Sequence, residues 1–300
     1  MEMNPGTASK EKCRALYQMG INRLSIGLQS TNDMELKTLG RIHSYEDFLN
    51  TYTWCREAGF QNINVDLMAA LPYQTVESYT TGLRKIIRLA PEHISAYSLI
   101  LEEGTPFYQK YNSGCYPLPD EEQERLMYRE TEQILAQAGY ERYEISNYAK
   151  KGYACRHNLV YWQGGDYLGL GLGSSSYMDD VRFHNTTDLD TYVNQGAYVE
   201  DREELSVQAK MEEFMFLGLR VMAGVSGTEF EKRFGKTMED VYGDVLRKHE
   251  EEGLLQIERK EDRKEAAAAE PAKGKTNIEK VMLTTNGVDV SNYVFADFLL

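Results

Sequence analysis

The residues Asn62-Ile-Asn-Val-Asp-Leu67 decide the predicted fold, because they form one β-strand in a regular series of short apolar runs. Pro72 closes this strand. The run Leu24–Gln29 precedes it and predicts a buried strand, and His93–Ile100 follows it and predicts a third. Tyr140–Ser146 predicts a fourth.

Helical signals lie between these strands. Residues 44–47, Ser-Tyr-Glu-Asp, resemble a capping box that opens an amphipathic helix, and Gly59 ends it. Thr75 caps a helix to about Leu89, and a long helix runs from residues 119–120 to Ala138. Strands and helices that alternate in this way are typical of βαβ units, a parallel sheet and the α/β class. The pattern alone leaves open whether the units close into a barrel or form an open, doubly wound sheet.

The pattern changes beyond Gly152. The glycine-rich segment 164–173 is not followed by GK[ST], so it does not predict a phosphate loop. The remaining regular elements predict a smaller, mostly helical C-terminal domain. They are helices near 206–222 and 238–252, a strand at 254–258, and a strand and terminal helix within 281–300.

One segment of the second half has no apolar face. Residues 259–276 are charged and rich in alanine, and they predict an exposed insert. We therefore expect two domains, 1–165 and 166–300, with this insert in the second.

Composition limits the classes of partner. The formal net charge is −14, from 47 acidic and 33 basic residues, which disfavours nucleic-acid binding. No apolar run approaches the roughly 20 residues that a membrane helix needs, and the first residues have no apolar stretch typical of a signal peptide. We expect a cytoplasmic protein with at most transient membrane association.

The four cysteines predict unpaired thiols. Cys13, Cys55, Cys115 and Cys155 lie some 40 to 60 residues apart and form no CxxC pair. The sequence therefore suggests neither a disulfide framework nor a zinc or iron–sulfur site.

The strongest local signal is the segment 155–162, Cys-Arg-His-Asn-Leu-Val-Tyr-Trp. Imidazole and thiolate are common protein ligands of heme iron, and flat aromatic side chains suit the face of a macrocycle. The alternative is a packed turn with Tyr161 and Trp162 in a domain interface. On a strand, Cys155 and His157 would point to the same face, while in a loop either could be free.

Seven segments resemble, in order and spacing, those of the radical S-adenosylmethionine (SAM) heme chaperones, relatives of oxygen-independent coproporphyrinogen oxidase. They are MEMNPGT (1–7), RLSIGLQS (23–30), LGRIHS (39–44), NVDLMAALPYQT (64–75), HISAYSL (93–99), YERYEISNYA (140–149) and YACRHNLVYWQGGDYLGLGLGSSS (153–176). The resemblance covers nearly the whole chain apart from the insert. It implies a partial radical SAM (β/α) barrel that lacks its first strands and ends at the 155–162 segment.

The resemblance also implies a SAM site. It assigns Glu2 to the amino-acid portion of SAM, and it matches Gln29, Arg41 and Asp66 to positions that contact SAM. Ile100 falls near another such position. The chemistry agrees, because carboxylates accept from the ammonium group and ribose hydroxyls of SAM, and an arginine binds its carboxylate bidentately.

His157, Asn158, Tyr161 and Trp162 match the HNxxYW signature that is linked to heme binding in the heme chaperones. The resemblance thus implies that these four residues bind heme, with His157 as the ligand of the heme iron.

One part of the family pattern is not in this sequence. The family holds a [4Fe–4S] cluster with three cysteines of a CxxxCxxC loop, which the resemblance places upstream of Met1. None of the four cysteines has the required spacing. We expect an N-terminally truncated family member with an exposed edge strand and, as written, no cluster and no radical chemistry.

The leading functional hypothesis is a non-catalytic heme chaperone that transfers heme to acceptor apoproteins such as respiratory enzymes. The alternative is an oxygen-independent coproporphyrinogen III oxidase of porphyrin biosynthesis, an oxidoreductase that would be inactive without the cluster. A third possibility is an inert fragment.

Overall fold

The computed structural model describes residues 1–196, 199–260 and 278–300. The chain forms two compact units, Met1–Ala154 and Cys155–Leu300. The expected insert at 259–276 lies outside the described residues from position 261 onward. The second unit begins with a helix at residues 156–162 that packs on its helix Val207–Gly218. The domain boundary expected at residue 165 stays a prediction.

The first unit is built on a mixed sheet. Its strands are β1 (Glu2–Met3), β2 (Leu24–Gln29), β3 (Ile63–Ala69), β4 (His93–Ser98), β5 (Glu141–Glu144) and β6 (Asn147–Ala149). Their order is β1-β2-β3-β4-β6-β5, and β1 to β4 are parallel. The predicted strands that became β2, β3 and β4 are confirmed.

The predicted fourth strand, Tyr140–Ser146, is confirmed as the shorter strand β5. The chain then turns, and β6, which was not predicted, returns antiparallel to both β5 and β4. The side chain of Glu144 closes this turn, since its Oε1 accepts from the backbone N–H of Ser146 at 2.8 Å and from Asn147 Nδ2 at 2.5 Å.

Three helices of the first unit begin at the predicted caps, and the others were not predicted. The helices are α1 (Lys10–Gln18), α2 (Asp33–Thr38), α3 (Tyr45–Ala58), α4 (Val76–Arg88), α5 (Pro106–Asn112) and α6 (Glu121–Gln137), and a 3-10 helix spans Pro5–Thr7. Ser44 forms the capping box with Asp47, and Gly59 ends α3 with a left-handed φ of 111°. Thr75 and Asp120 cap α4 and α6.

The two faces of the parallel strands differ in chemistry. On one face the side chains are apolar and belong to the buried core that the helices complete, as in Ile26, Val65 and Ile94. The other face is polar: it carries Ser25, Asn64 and His93 in one row, and Gly27, Asp66 and Ser95 in the next. A parallel sheet that helices cover on both faces is apolar on both. The polar face therefore indicates a sheet that keeps one side for a ligand.

The second unit combines helices with two antiparallel sheets. Its strands are β7 (Ser175–Met178), β8 (Val181–Asn185), β9 (Val199–Glu204), β10 (Val225–Ser226), β11 (Leu255–Arg259) and β12 (Ile278–Leu283). Within the described residues, the sheets have the orders β7-β8-β9 and β10-β12-β11. The predicted helical character is confirmed, but the β7-β8-β9 sheet was not predicted.

The helices of this unit are α7 (Arg156–Trp162), α8 (Leu189–Gln195), α9 (Val207–Gly218), α10 (Gly227–Phe234), α11 (Met238–Glu251), α12 (Thr285–Asp289) and α13 (Ser291–Ala296). The predicted helices near 206–222 and 238–252 are α9 and α11, and the tail forms β12 and two short helices. Large side chains such as Phe230, Tyr242 and Phe298 fill the core. In the part of the chain that the structure describes, no helix combines the length and the apolar character needed to cross a bilayer.

Candidate functional sites

A cavity of about 430 Å³ opens on the polar face of the first unit's sheet. Four of the five predicted SAM residues line it, namely Glu2, Gln29, Arg41 and Asp66. The fifth, Ile100, is not among the lining residues, and 79% of its surface is exposed. The remaining lining residues are Met3, Asn4, Ser25, Gly27 and Tyr97.

Gln29 has a strained backbone conformation and a side chain that is fixed by a hydrogen bond. It ends β2 with φ of 73°, a left-handed conformation that is rare outside glycine, and the register of β2 on β3 shifts between Gly27 and Gln29. Its side chain is buried, and its Oε1 accepts a hydrogen bond from the hydroxyl of Tyr97 at 2.9 Å. A Cβ on Gly27 would lie 3.2 Å from Gln29 Nε2, so the missing side chain leaves room for the amide. Non-glycine strain of this kind is typical of functional sites.

Asp66 presents a desolvated carboxylate to the cavity. Burial raises the pKa of Asp66, although hydrogen bonds from Asn64 and serine side chains oppose that shift and Glu2 adds to it. Asn64 Nδ2 donates to Oδ1 at 2.7 Å, and Ser25 Oγ donates to Oδ2 at 3.2 Å. Two carboxylates facing one cavity favour a ligand that carries a positive charge.

A buried histidine, His93, contacts this carboxylate indirectly, through the side chain of Asn64. The Nδ1 of His93 lies 2.6 Å from Asn64 Oδ1, and its Nε2 lies 2.9 Å from the hydroxyl of Tyr143. Because Asn64 Nδ2 donates to both Ser25 and Asp66, its oxygen must face His93. His93 therefore carries its proton on Nδ1 and accepts from Tyr143. Burial lowers the pKa of His93 to about 3, so the ring is neutral at physiological pH.

Tyr97 lines the cavity but was not predicted from the sequence as a site residue. Burial raises the pKa of Tyr97 to about 12, so its hydroxyl stays protonated and donates to Gln29. The signal was present in the sequence, because His93, Ser95 and Tyr97 alternate with apolar residues along β4 and so share the polar face.

A network of hydrogen bonds among Ser30, Glu35 and Gln74, here termed the polar brace, joins the loops that follow β2 and β3. The carboxylate of Glu35 is buried and accepts from Ser30 Oγ at 2.5 Å and from Gln74 Nε2 at 3.0 Å. The Oε1 of Gln74 in turn accepts from the backbone N–H of Leu71 at 3.2 Å. This brace fixes both loops at the carboxyl end of the strands.

The second site is on α7. Residues 155–162 form neither a strand nor a loop, because Cys155 is the N-cap position of a helix that contains the rest. His157 and Tyr161 therefore lie one turn apart on the same face. Their rings meet at 4.7 Å between centroids, and Tyr161 meets Tyr167 at 4.4 Å. His157 is exposed, whereas the thiol-bearing Cys155 is buried.

Trp162 and Asn158 are placed differently from His157. The guanidinium of Arg220 lies 4.4 Å above the Trp162 ring, and the Trp162 indole N–H is buried with no hydrogen-bond partner among the described residues. This residue packs towards α9, as the contacts of α7 indicate. Asn158 lies half-buried in the first turn of α7. Of the four HNxxYW residues, the structure brings together His157 and Tyr161 on one face.

Three exposed leucines lie in the glycine-rich segment that follows α7. Leu168, Leu170 and Leu172, here termed the leucine row, are 62%, 86% and 44% exposed and alternate with glycines. The backbone of the segment is held by a two-way bridge between Tyr167 and Tyr177. Exposed apolar side chains grouped in this way are typical of binding surfaces.

The described residues do not fit a [4Fe–4S] cluster. Cys13 Sγ and Cys55 Sγ lie 3.6 Å apart inside the core, and burial raises the pKa of Cys55, which disfavours the thiolate. Cys115 is exposed, and all four thiols are free. No group of three His, Cys, Asp or Glu side chains with metal-binding geometry occurs within 1–196, 199–260 and 278–300.

Known proteins resemble both units. Residues 1–86 match the radical SAM superfamily, and residues 205–261 match the HemN C-terminal domain. The heme chaperone HemW of Lactococcus lactis is 34% identical over 100% of this chain and 75% of its own length. That of Bacillus subtilis is 38% identical over 85% of this chain and 68% of its own length.

A solved structure confirms the fold. Escherichia coli coproporphyrinogen III oxidase (HemN), described as a radical SAM enzyme, superposes with a TM-score of 0.79 over 99% of this chain and 68% of that one. At 19% identity this likeness concerns the fold alone. The radical SAM superfamily implies SAM and a [4Fe–4S] cluster as cofactors. The sequence relatives and the fold together show that the chain belongs to the radical SAM family of the heme chaperone HemW.

Proposed function

We propose that this chain binds heme on the face of α7 formed by His157 and Tyr161 and passes it to an acceptor apoprotein. The observation that carries the proposal is the exposed imidazole of His157 with the ring of Tyr161 against its edge. Imidazole is a common protein ligand of heme iron, and the exposed ring of His157 is accessible to one. The leucine row that follows α7 offers apolar surface for the macrocycle.

Within this proposal, the remaining members of the motif have supporting roles. Trp162 anchors α7 through Arg220, and Asn158 lies in the first turn of the helix, next to His157 in the sequence. The names of the HemW relatives support heme as the cargo. The acceptor class, respiratory enzymes, and the cytoplasmic location are parts of the proposal that follow from the family resemblance.

We also propose that the cavity on the sheet holds SAM. Arg41 would bind the α-carboxylate, and Glu2 and Asp66 would accept from the ammonium group and the ribose hydroxyls. Gln29, fixed by Tyr97, would supply an oriented amide. Ile100, outside the cavity lining, stays a prediction.

The test is a titration with hemin, followed by absorbance, of the chain and two variants. His157→Ala should bind hemin at least tenfold more weakly, since it loses the iron ligand, and Tyr161→Phe should bind more strongly than His157→Ala. His184→Ala is the matched control, because His184 is a partly exposed histidine of β8 in the same unit. Equal affinity for hemin in the wild type, His157→Ala and His184→Ala would remove the basis of the proposal.

A further inference from the structure

A second cavity, of about 360 Å³, lies within the second unit beside the end of α7. Its apolar walls are Val207, Phe214 and Phe234, and Gly164 and Tyr177 form part of its rim. Apolar walls with a few charged groups are typical of pockets that orient a small organic ligand.

The charges around this cavity do not cancel. Lys210 Nζ lies 2.6 Å from Asp180 Oδ2, and the carboxylate of Glu213 accepts from Arg182 Nη2 at 3.0 and 3.1 Å. Each of these pairs neutralises itself. Arg233 makes no ion pair with the residues that the structure describes, and its guanidinium lies 5.8 Å from the ring centre of Phe214. Because Arg182 lies outside the lining and pairs with Glu213, the guanidinium of Arg233 is the charged group of the lining without an ion pair to the described residues, and its charge acts on Asp180 and Tyr177 at longer range.

A row of aromatic rings connects this cavity with His157. Tyr161 contacts His157, Tyr167 contacts Tyr161, and Tyr177, a lining residue, lies 6.3 Å from Tyr167. Gly164 lies beside the guanidinium, since a Cβ built on it would lie 3.5 Å from Arg233 Nη1. The ring contacts thus run from the imidazole of His157 to the lining of the cavity that contains the guanidinium of Arg233.

We propose that Arg233 binds a carboxylate side arm of the heme whose iron is bound by His157. A planar apolar ligand with carboxylate arms matches aromatic walls that end at an unpaired guanidinium, and arginine binds carboxylates bidentately. This inference rests on the proposed function, and it adds the group that fixes the orientation of the macrocycle.

The test compares hemin with its dimethyl ester, which lacks the carboxylates, in the same dilute non-ionic detergent and with the full chain. Arg233→Gln should weaken the binding of hemin about tenfold and leave the binding of the ester unchanged. Arg233→Lys should restore part of the loss, because it keeps the charge. Lys232→Gln is the control, since Lys232 neighbours Arg233 on α10 but its side chain is 78% exposed and pairs with Glu229.

The outcomes separate this inference from the proposed function. Hemin binding that depends on His157 but is the same in Arg233→Gln and wild type overturns the carboxylate site alone. An equal loss for hemin and for the ester also overturns it, because the guanidinium would then act by packing. If neither His157→Ala nor Arg233→Gln changes hemin binding, the proposed function fails as well.

Discussion

The imidazole of His157 meets the ring of Tyr161 edge-on, with 4.7 Å between the ring centroids and 80° between the ring planes. The contact follows from the spacing of four residues on α7, which places both side chains on one face. An edge-to-face contact restricts the imidazole without using either of its nitrogens. Burial raises the pKa of Tyr161, so its hydroxyl stays protonated at neutral pH and does not add a charge beside His157.

This contact predicts that the Tyr161 ring, and not its hydroxyl, controls how long heme stays bound. Tyr161→Ala should speed the release of hemin to excess apomyoglobin about threefold to tenfold, because the freed imidazole samples more rotamers. Tyr161→Phe keeps the ring and should change the rate less than twofold. Equal rates for Tyr161→Ala and Tyr161→Phe, both faster than wild type, would show that the hydroxyl is the important group.

The course of the chain through the first unit was predictable from local chemistry. Ser44, Thr75 and Asp120 each cap the predicted helix, because a side-chain oxygen before an apolar periodic segment satisfies the free N–H groups of the first turn. The turn after Glu144 was not predictable in the same way. It depends on a side-chain hydrogen bond to Ser146, which the apolar pattern does not reveal.

The candidate sites were predictable only in part. The family pattern pointed to Gln29 and Asp66, and the structure places Gln29 at the end of β2 and Asp66 in the middle of β3, on the polar face of the sheet. Tyr97 was missed because an aromatic residue in a strand is more often part of the core. The helix at 156–162 was missed because no side chain caps it: Cys155 makes no cap hydrogen bond.

A substitution at Asp66 should stabilise the chain without its ligand. Because burial raises the pKa of Asp66, the folded chain holds this proton to a higher pH than the unfolded chain does. Ionisation therefore costs stability, and the cost grows as the pH rises above the unfolded value of about 3.9. Asp66→Asn should therefore raise the free energy of unfolding at pH 7, as measured by urea denaturation.

The advantage of Asp66→Asn over wild type should shrink as the pH is lowered from 7 towards 4.5. The exposed residue Asp190 of α8 provides the control, and Asp190→Asn should change the free energy of unfolding by less than about 0.5 kcal/mol. A variant Asp66→Asn that is less stable than wild type at pH 7 would show that the hydrogen bonds of the carboxylate outweigh its burial.

His93 should make the chain sensitive to mild acid. Its folded pKa of about 3 lies below the unfolded value of about 6.5, so the unfolded chain binds the proton more readily. The stability from a neutral His93 is complete above that unfolded value and is lost as the pH falls below it. Between pH 7.5 and 5.5 the wild type should therefore lose about 1.4 kcal/mol more than His93→Gln.

Urea denaturation at the two pH values checks this difference. His93→Gln should itself be about 1 to 3 kcal/mol less stable than wild type at pH 7.5, since it disturbs the bonds to Asn64 and Tyr143. His184→Gln serves as the control for a histidine that is not fully buried. Parallel losses in wild type and His93→Gln would mean that His93 is protonated in the folded chain.

Gly169 should be required for the geometry of the leucine row. A Cβ built on Gly169 would overlap the backbone oxygen of Ser175 and press on the side chain of Ser174, and a backbone atom cannot move aside cheaply. Gly169→Ala should lower the free energy of unfolding by about 1 to 3 kcal/mol.

Gly243→Ala on α11 is the matched control, because the new methyl group would meet only the end of the Arg247 side chain, at 3.6 Å. A helical glycine replaced by alanine in open space should gain about 0.5 to 1 kcal/mol. Urea denaturation of the two variants should thus give shifts of opposite sign, and a stabilised Gly169→Ala would contradict the close approach of this segment to β7.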